Sequence, residues 1–237
     1  MKKKLIFMKF LEFDTTRDFP YYRNNPRISK KSWIGLLILL PISFLTYSLL
    51  FTLSEFVASV AFCLVLLIPL LYVSKWDYSL FIRKPTKDEI TLAILMFLGY
   101  AIYSIIVATA LENFDLVGLG IDAAMTVTFE SIVSLLFSML AEELIKFIPL
   151  MFFLRLFYRY TENRKLSIVF STAIVLVGFG MLHYAPPYST LPSVLLLQGL
   201  GSIFEVYGYL KTKNIFVPYL SHLLTDAIAF IMIFVMG

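Results

Sequence analysis

The sequence predicts an all-α, polytopic membrane helix bundle of about seven transmembrane helices with a cytoplasmic N-terminus, and three observations carry that prediction. Of 237 residues, 59% are hydrophobic and only 15% charged, a surface too apolar for a water-soluble domain of this size. Seven runs of about 20 apolar residues follow one another, each long enough to cross a hydrocarbon core of about 30 Å. The basic residues then alternate between the connecting segments. Nine lie between Lys2 and Lys31, four between Lys75 and Lys87, four between Arg155 and Lys165, and two at Lys211 and Lys213. The alternate loops "TLSE", "ENFDLVGLGIDAAM" and "YAPPYSTLP" hold none, while Glu112, Asp115 and Asp122 lie in one of them. Positive residues concentrate in cytoplasmic loops, so an odd number of crossings with the N-terminus inside satisfies every segment.

Taken in order, residues 1–32 read as a retained, basic cytoplasmic arm, because Lys9, Glu12 and Asp14 interrupt its apolar stretch before a secretory core could form. Residues 33–125 hold three spans, Trp33–Phe51, Glu55–Ser74 and Glu89–Leu111, with little polar content. Cys63, the single cysteine, falls in the second and reads as a packing residue. It allows neither a disulfide within the chain nor a cysteine zinc cluster. Residues 126–237 hold four more spans and nearly all the chemistry: Thr126–Phe157, Leu166–His183, Leu191–Leu210 and Ile215–Met236.

The fourth span would be about 48 Å long as unbroken helix, so it should tilt, break or begin outside the membrane. Pro149 removes a backbone hydrogen bond near its middle, and a kink is expected there. Its centre, "SMLAEELIKFIPL", keeps Glu142, Glu143 and Lys146 where each ionised side chain costs about 3 kcal/mol or more. Lys146 is also the one basic residue that the topology leaves unexplained. An intrahelical ion pair with either glutamate would neutralise one negative charge and leave the other over.

The only two histidines lie at membrane depth. His183 ends the fifth span four residues after Phe179, with Gly178 and Gly180 permitting close helix approach. His222 precedes Asp226 by four in the seventh, which a helix stacks on one face. Gln198 and Glu205 occupy the sixth span, and Glu130 begins the fourth. A glutamate and a histidine converging on one water can deprotonate it for attack on a peptide carbonyl while a second histidine stabilises the oxyanion. Alternatively Glu142, His183 and His222 form a Zn²⁺ site whose fourth position is water. The spacing distinguishes neither. Straight, upright helices would leave His183 about 27 Å and His222 about 14 Å above the cytoplasmic side, so tilt, the Pro149 kink, or breaks near Gly199, Gly201 or Pro218 must level them.

The motifs "EELIK", "FGMLH" and "SHLLTD", in that order, resemble the CPBP family, the type II CAAX prenyl proteases and bacteriocin-processing enzymes. The stretch "GSIFEVYGYLKTKNIFVPYLSHLLTD" resembles the same family, and the likeness spans about residues 135 to 230. Here Phe147 stands where an arginine is usual, Lys146 lies one position earlier, and Asp226 replaces the commoner asparagine. The resemblance implies a glutamate- or metal-dependent intramembrane endopeptidase acting on a membrane-associated, prenylated or bacteriocin-like peptide. It implies that Glu142 and His183 activate water, that His222 with Asp226 forms the oxyanion site, that Glu143 pairs with the basic residue Lys146, and that Phe179 supports the site. Zn²⁺ is the one cofactor it leaves open. Competing classes are a non-catalytic bacteriocin-immunity or binding protein and a proton-coupled transporter, which would show internal repeats. Membrane lipids and a peptide or lipidated protein are the expected partners. The charge of +4 fits orientation and anionic lipid, not nucleic acid. A prokaryotic plasma membrane is favoured over the endoplasmic reticulum.

Overall fold

The computed structural model describes residues 18–118 and 126–236. The first part of the basic arm, and the loop residues 119–125 with Asp122, lie outside the described residues. Seven long helical elements appear where the apolar runs predict them: α1 (Lys30–Phe51), α2 (Glu55–Val73), α3 (Lys87–Asn113), α4 (Phe129–Thr161), α5 (Arg164–Leu182), α6 (Leu191–Thr212) and α7 (Phe216–Met236). No strand occurs among the described residues. Six of the seven are long and apolar enough to cross a membrane; α4 is excluded because Glu142, Glu143 and Lys146 sit at its centre.

The helices begin where short polar side chains can cap them. Ser29, Ser54, Thr86, Thr128 and Asn163 each accept a hydrogen bond from a backbone N–H of the first turn, satisfying a donor that the helix leaves orphaned. Of the tilt, break or outside start expected for α4, a break is not what occurs: the helix is continuous through Pro149, the position where a kink is expected. Irregularity is concentrated in α6 instead, where a π turn (Val194–Gly199) and a 3₁₀ turn (Leu200–Ser202) precede regular helix (Ile203–Thr212). Those are the positions of Gly199 and Gly201. Pro218 lies in the first turn of α7, where its missing N–H leaves no bond unmade.

The central four helices close into a ring. Helix α4 packs on α5 and α7, α6 on α5 and α7, and α1 and α2 lie on the outer side of α4. Chain neighbours α2 and α3 do not pack together; α3 crosses to the far side against α6 and α7. It is peripheral, with only 6% of its apolar window buried against 56% for α6, and Ile102, Ile105 and Ile106 are left exposed as a lipid-facing side would be.

Helix ends meet in two groups, as alternating crossings require. At one, residues 18–28 fold under the bundle: Phe19, Tyr21, Tyr22 and Ile28 are buried, and Tyr21 bonds Ser74 at 2.5 Å. The turn after α6 joins them, with Asn214 Nδ2 donating to Arg83 O at 3.2 Å and Arg83 pairing with Glu89 at 2.6 Å. At the other end Glu130 accepts from Ser54 and from the backbone N–H of Phe56, while Glu55 accepts from Ser131. The described parts of the basic segments lie at the first end, and to that extent the charge alternation read from sequence is matched by the arrangement of helix ends.

Candidate active site

The cluster starts from a crowded contact. A Cβ on Gly180 would lie 2.7 Å from Val194 O and 3.0 Å from the Gly199 Cα. Only glycine lets α5 approach the irregular part of α6 so closely. This contact fixes the end of α5, and with it Phe179 and His183, against the helix that carries Glu205.

Lys146 is the hub. Its Nζ pairs with Glu143 Oε1 at 2.6 Å and with Glu205 Oε2, and it lies 4.5 Å from the centre of the Phe179 ring. All three charged side chains are 6% exposed or less. A lone ion there would be far too costly, so the ammonium and the two carboxylates depend on one another.

Glu143 Oε1 also accepts from His222 Nδ1–H at 2.8 Å. That bond turns the opposite nitrogen, Nε2, toward two other acids, 3.8 Å from Glu142 Oε2 and 3.7 Å from Asp226 Oδ2. Neither distance is a hydrogen bond, and both leave the atoms within reach of one shared water. The side chains of Glu142 and Asp226 are 21% and 31% exposed against 4% for Glu143, so the cluster opens on their side.

His183 is the C-cap of α5, and its Nδ1–H donates to Phe179 O at 2.9 Å. Its ring lies 4.8 Å from that of Phe179, which is 6.5 Å from the His222 ring. One phenylalanine thus contacts both imidazoles. Asp226 feels the charges of Glu142, His183, His222 and Lys146. Among the described residues the His183 imidazole makes no direct hydrogen bond to Glu142 or His222.

Of the residues singled out from sequence, Lys146 joins Glu143, and His222 joins Glu142, Glu143 and Asp226, into one connected cluster that Phe179 and His183 border. Glu130 is not part of the site, since it caps the start of α2 at one end of the bundle. Glu205 is a member that the motifs do not specify. Its signal was the charge count: Glu142, Glu143, Glu205 and Asp226 are four acids within apolar spans, against Lys146 as the one basic residue that the topology leaves unexplained.

Metal donors gather differently from the sequence expectation. Among the described residues, the three that lie within 4.8 Å of one another are Glu143, Glu205 and His222, whereas Glu142, His183 and His222 were expected. The Lys146 ammonium already bonds both carboxylates of that group, so a divalent cation does not fit there beside it. In the expected set, both imidazoles hold a protein oxygen at Nδ1 and offer Nε2, which suits a water or a metal ion equally.

These features define a polytopic membrane bundle with an acid, imidazole and ammonium centre in its interior. A family model described as Type II CAAX prenyl endopeptidase Rce1-like matches residues 124–228, which hold every residue of the cluster and are the part of the chain whose motifs resemble the CPBP family. No curated protein and no solved structure matches the chain. The match spans 105 of the 237 residues, and the model it is similar to describes CAAX prenyl endopeptidases.

Proposed function

We propose that the protein is an intramembrane endopeptidase that hydrolyses a peptide bond of a membrane-associated, prenylated or bacteriocin-like peptide, with Glu142 as the base that activates water. The observation that carries this reading is the division of labour among the acids. Glu143 and Glu205 are committed to Lys146, and Glu143 to His222 as well. Among the described residues Glu142 accepts no hydrogen bond, and it faces His222 Nε2 from the more open side of the cluster.

In this reading Glu142 takes a proton from water as the oxygen attacks the scissile carbonyl, with His183 Nε2 as the second acceptor that orients that water. The charge developing on the carbonyl oxygen meets the protonated Nε2 of His222, which Asp226 flanks and Glu143 holds in place. The proton then passes from Glu142 to the departing amine. A Zn²⁺ held by Glu142, His183 and His222, if bound, would supply Lewis-acid activation of the same water. Lys146 and Glu205 touch no reacting atom; they are positioning residues that keep Glu143 ionised against His222.

The test is cleavage of a membrane-embedded reporter peptide by the purified chain, read by mass spectrometry. Glu142→Gln and His183→Ala are expected to abolish product while melting within about 2 °C of wild type, since neither loses a buried ion pair. Full cleavage by Glu142→Gln would remove the base from the scheme. If the protein protects cells from a bacteriocin and the same variants protect fully, the non-catalytic reading replaces this one.

A further inference from the structure

A second built site lies at the end of the bundle where residues 18–28 fold, and nothing in the catalytic reading uses it. A cavity of about 400 Å³ is lined by Tyr22, Arg23, Asn24, Arg155, Tyr158 and Arg159. Arg155 is held by a bond from its guanidinium to Asn24 Oδ1 at 3.1 Å. Asn24 stands in the left-handed region, φ 62°, which brings its amide under the helix. Arg23 lies over the rings of Tyr22 and Tyr158, at 5.6 and 5.7 Å.

Two of the three cations that line the cavity, Arg155 and Arg159, are not compensated by any carboxylate among the described residues. Arg155 is close enough to Arg159 and Arg27 to be repelled by both. Asp18 is occupied by Arg23 and Arg164. Among the described residues no carboxylate pairs with Arg27, Arg155 or Arg159, and no acid lines the cavity. The Tyr22 hydroxyl is buried beside the Arg23 guanidinium, itself a donor, and among the described residues its own O–H has no acceptor. Burial pushes its pKa up to about 12, so it remains a neutral donor. Guanidinium forks with an unspent hydroxyl call for an anion with several acceptor oxygens.

The apolar wall distinguishes a lipid from a free ion. Phe152 and Leu156, one helical turn apart on α4, line the same cavity, Phe152 nearer the middle of α4 than either arginine, so apolar surface adjoins the polar group. Its depth is that of a headgroup, because it sits at the end of the bundle that gathers the basic segments. We propose that this cavity binds the phosphate of an anionic phospholipid, with Arg155 and Arg159 on the phosphate oxygens, the Tyr22 hydroxyl as third donor, and Phe152 and Leu156 against the first acyl carbons.

The test uses the full chain in detergent and native mass spectrometry, titrating phosphatidylglycerol against phosphatidylcholine. Phosphatidylglycerol is expected to bind more tightly, and R155Q/R159Q to weaken it about tenfold or more through loss of charged hydrogen bonds. K84Q/K87Q, which removes two exposed cations at the same end but outside the cavity, is expected to leave it unchanged. Equal weakening by K84Q/K87Q, or none by R155Q/R159Q, would overturn the site. Should the double variant misfold, the exposed Arg159→Gln alone is expected to weaken binding at least threefold, and no effect there overturns the site as well. Competition by inorganic phosphate at the same concentration as the lipid would overturn the lipid as occupant.

Discussion

Replacing Lys146 by methionine tests the physical premise of the site, that one buried ammonium holds two carboxylates from different helices. Methionine fills nearly the same volume, so packing is kept and charge alone is lost. Glu143 keeps its bond from His222, but the Glu205 carboxylate, 6% exposed, loses the cation that compensates it. Removing one partner of a buried pair costs about 3–5 kcal/mol. At this chain length each kcal/mol moves Tm by roughly 2–4 °C, so Lys146→Met should melt roughly 6–20 °C below wild type in detergent. The sharper readout is the double variant. Glu205→Gln alone should destabilise, by about 1–3 kcal/mol for a lost charged hydrogen bond. Added to Lys146→Met it removes the orphaned anion, and K146M/E205Q should therefore melt above K146M. Additive losses in this cycle, or a K146M variant within 2 °C of wild type, would refute the reasoning.

Two other predictions concern the scaffold. A methyl on Gly180 meets backbone atoms that cannot move aside, so Gly180→Ala should cost about 1–3 kcal/mol and lower cleavage by shifting Phe179 and His183. Gly178→Ala, with nothing within 4 Å of its Cβ, should be neutral or stabilise by up to about 1 kcal/mol, as alanine does in helices; thermal melts of the pair decide. Tyr21→Phe removes the 2.5 Å bond to Ser74 that ties the N-terminal segment to the end of α2. It should lower stability by about 1 kcal/mol, leave cleavage unchanged, and raise hydrogen exchange in residues 19–28.

Some of this was legible from sequence and some was not, for reasons visible in particular residues. The run from Trp33 to Phe51 announces a span because hydrocarbon selects apolar side chains one residue at a time, and capping by Ser54 or Thr86 is equally local. The distortion of α6 was foreshadowed by Gly199 and Gly201. Pro149 removes one backbone bond without ending the helix, and α4 runs on for another three turns. Residues 1–32 read as a basic cytoplasmic arm, and the sequence did not signal that Phe19, Tyr21 and Tyr22 within it are buried, because an aromatic segment at a helix-bundle end finds its partners in residues far along the chain.

The sequence by itself determined the number and order of the helices, the sorting of their ends by charge, and the identity of the acids and imidazoles that had to be sheltered from lipid. Only the tertiary structure decided who pairs with whom: Lys146 with a glutamate 59 residues away, and Glu143 with a histidine 79 residues away. A helix's composition is written in its own residues. Its rotation about its axis is set by neighbours, here through the contact of Gly180 with Gly199, and that rotation chooses which carboxylate faces the ammonium and which stays open to water.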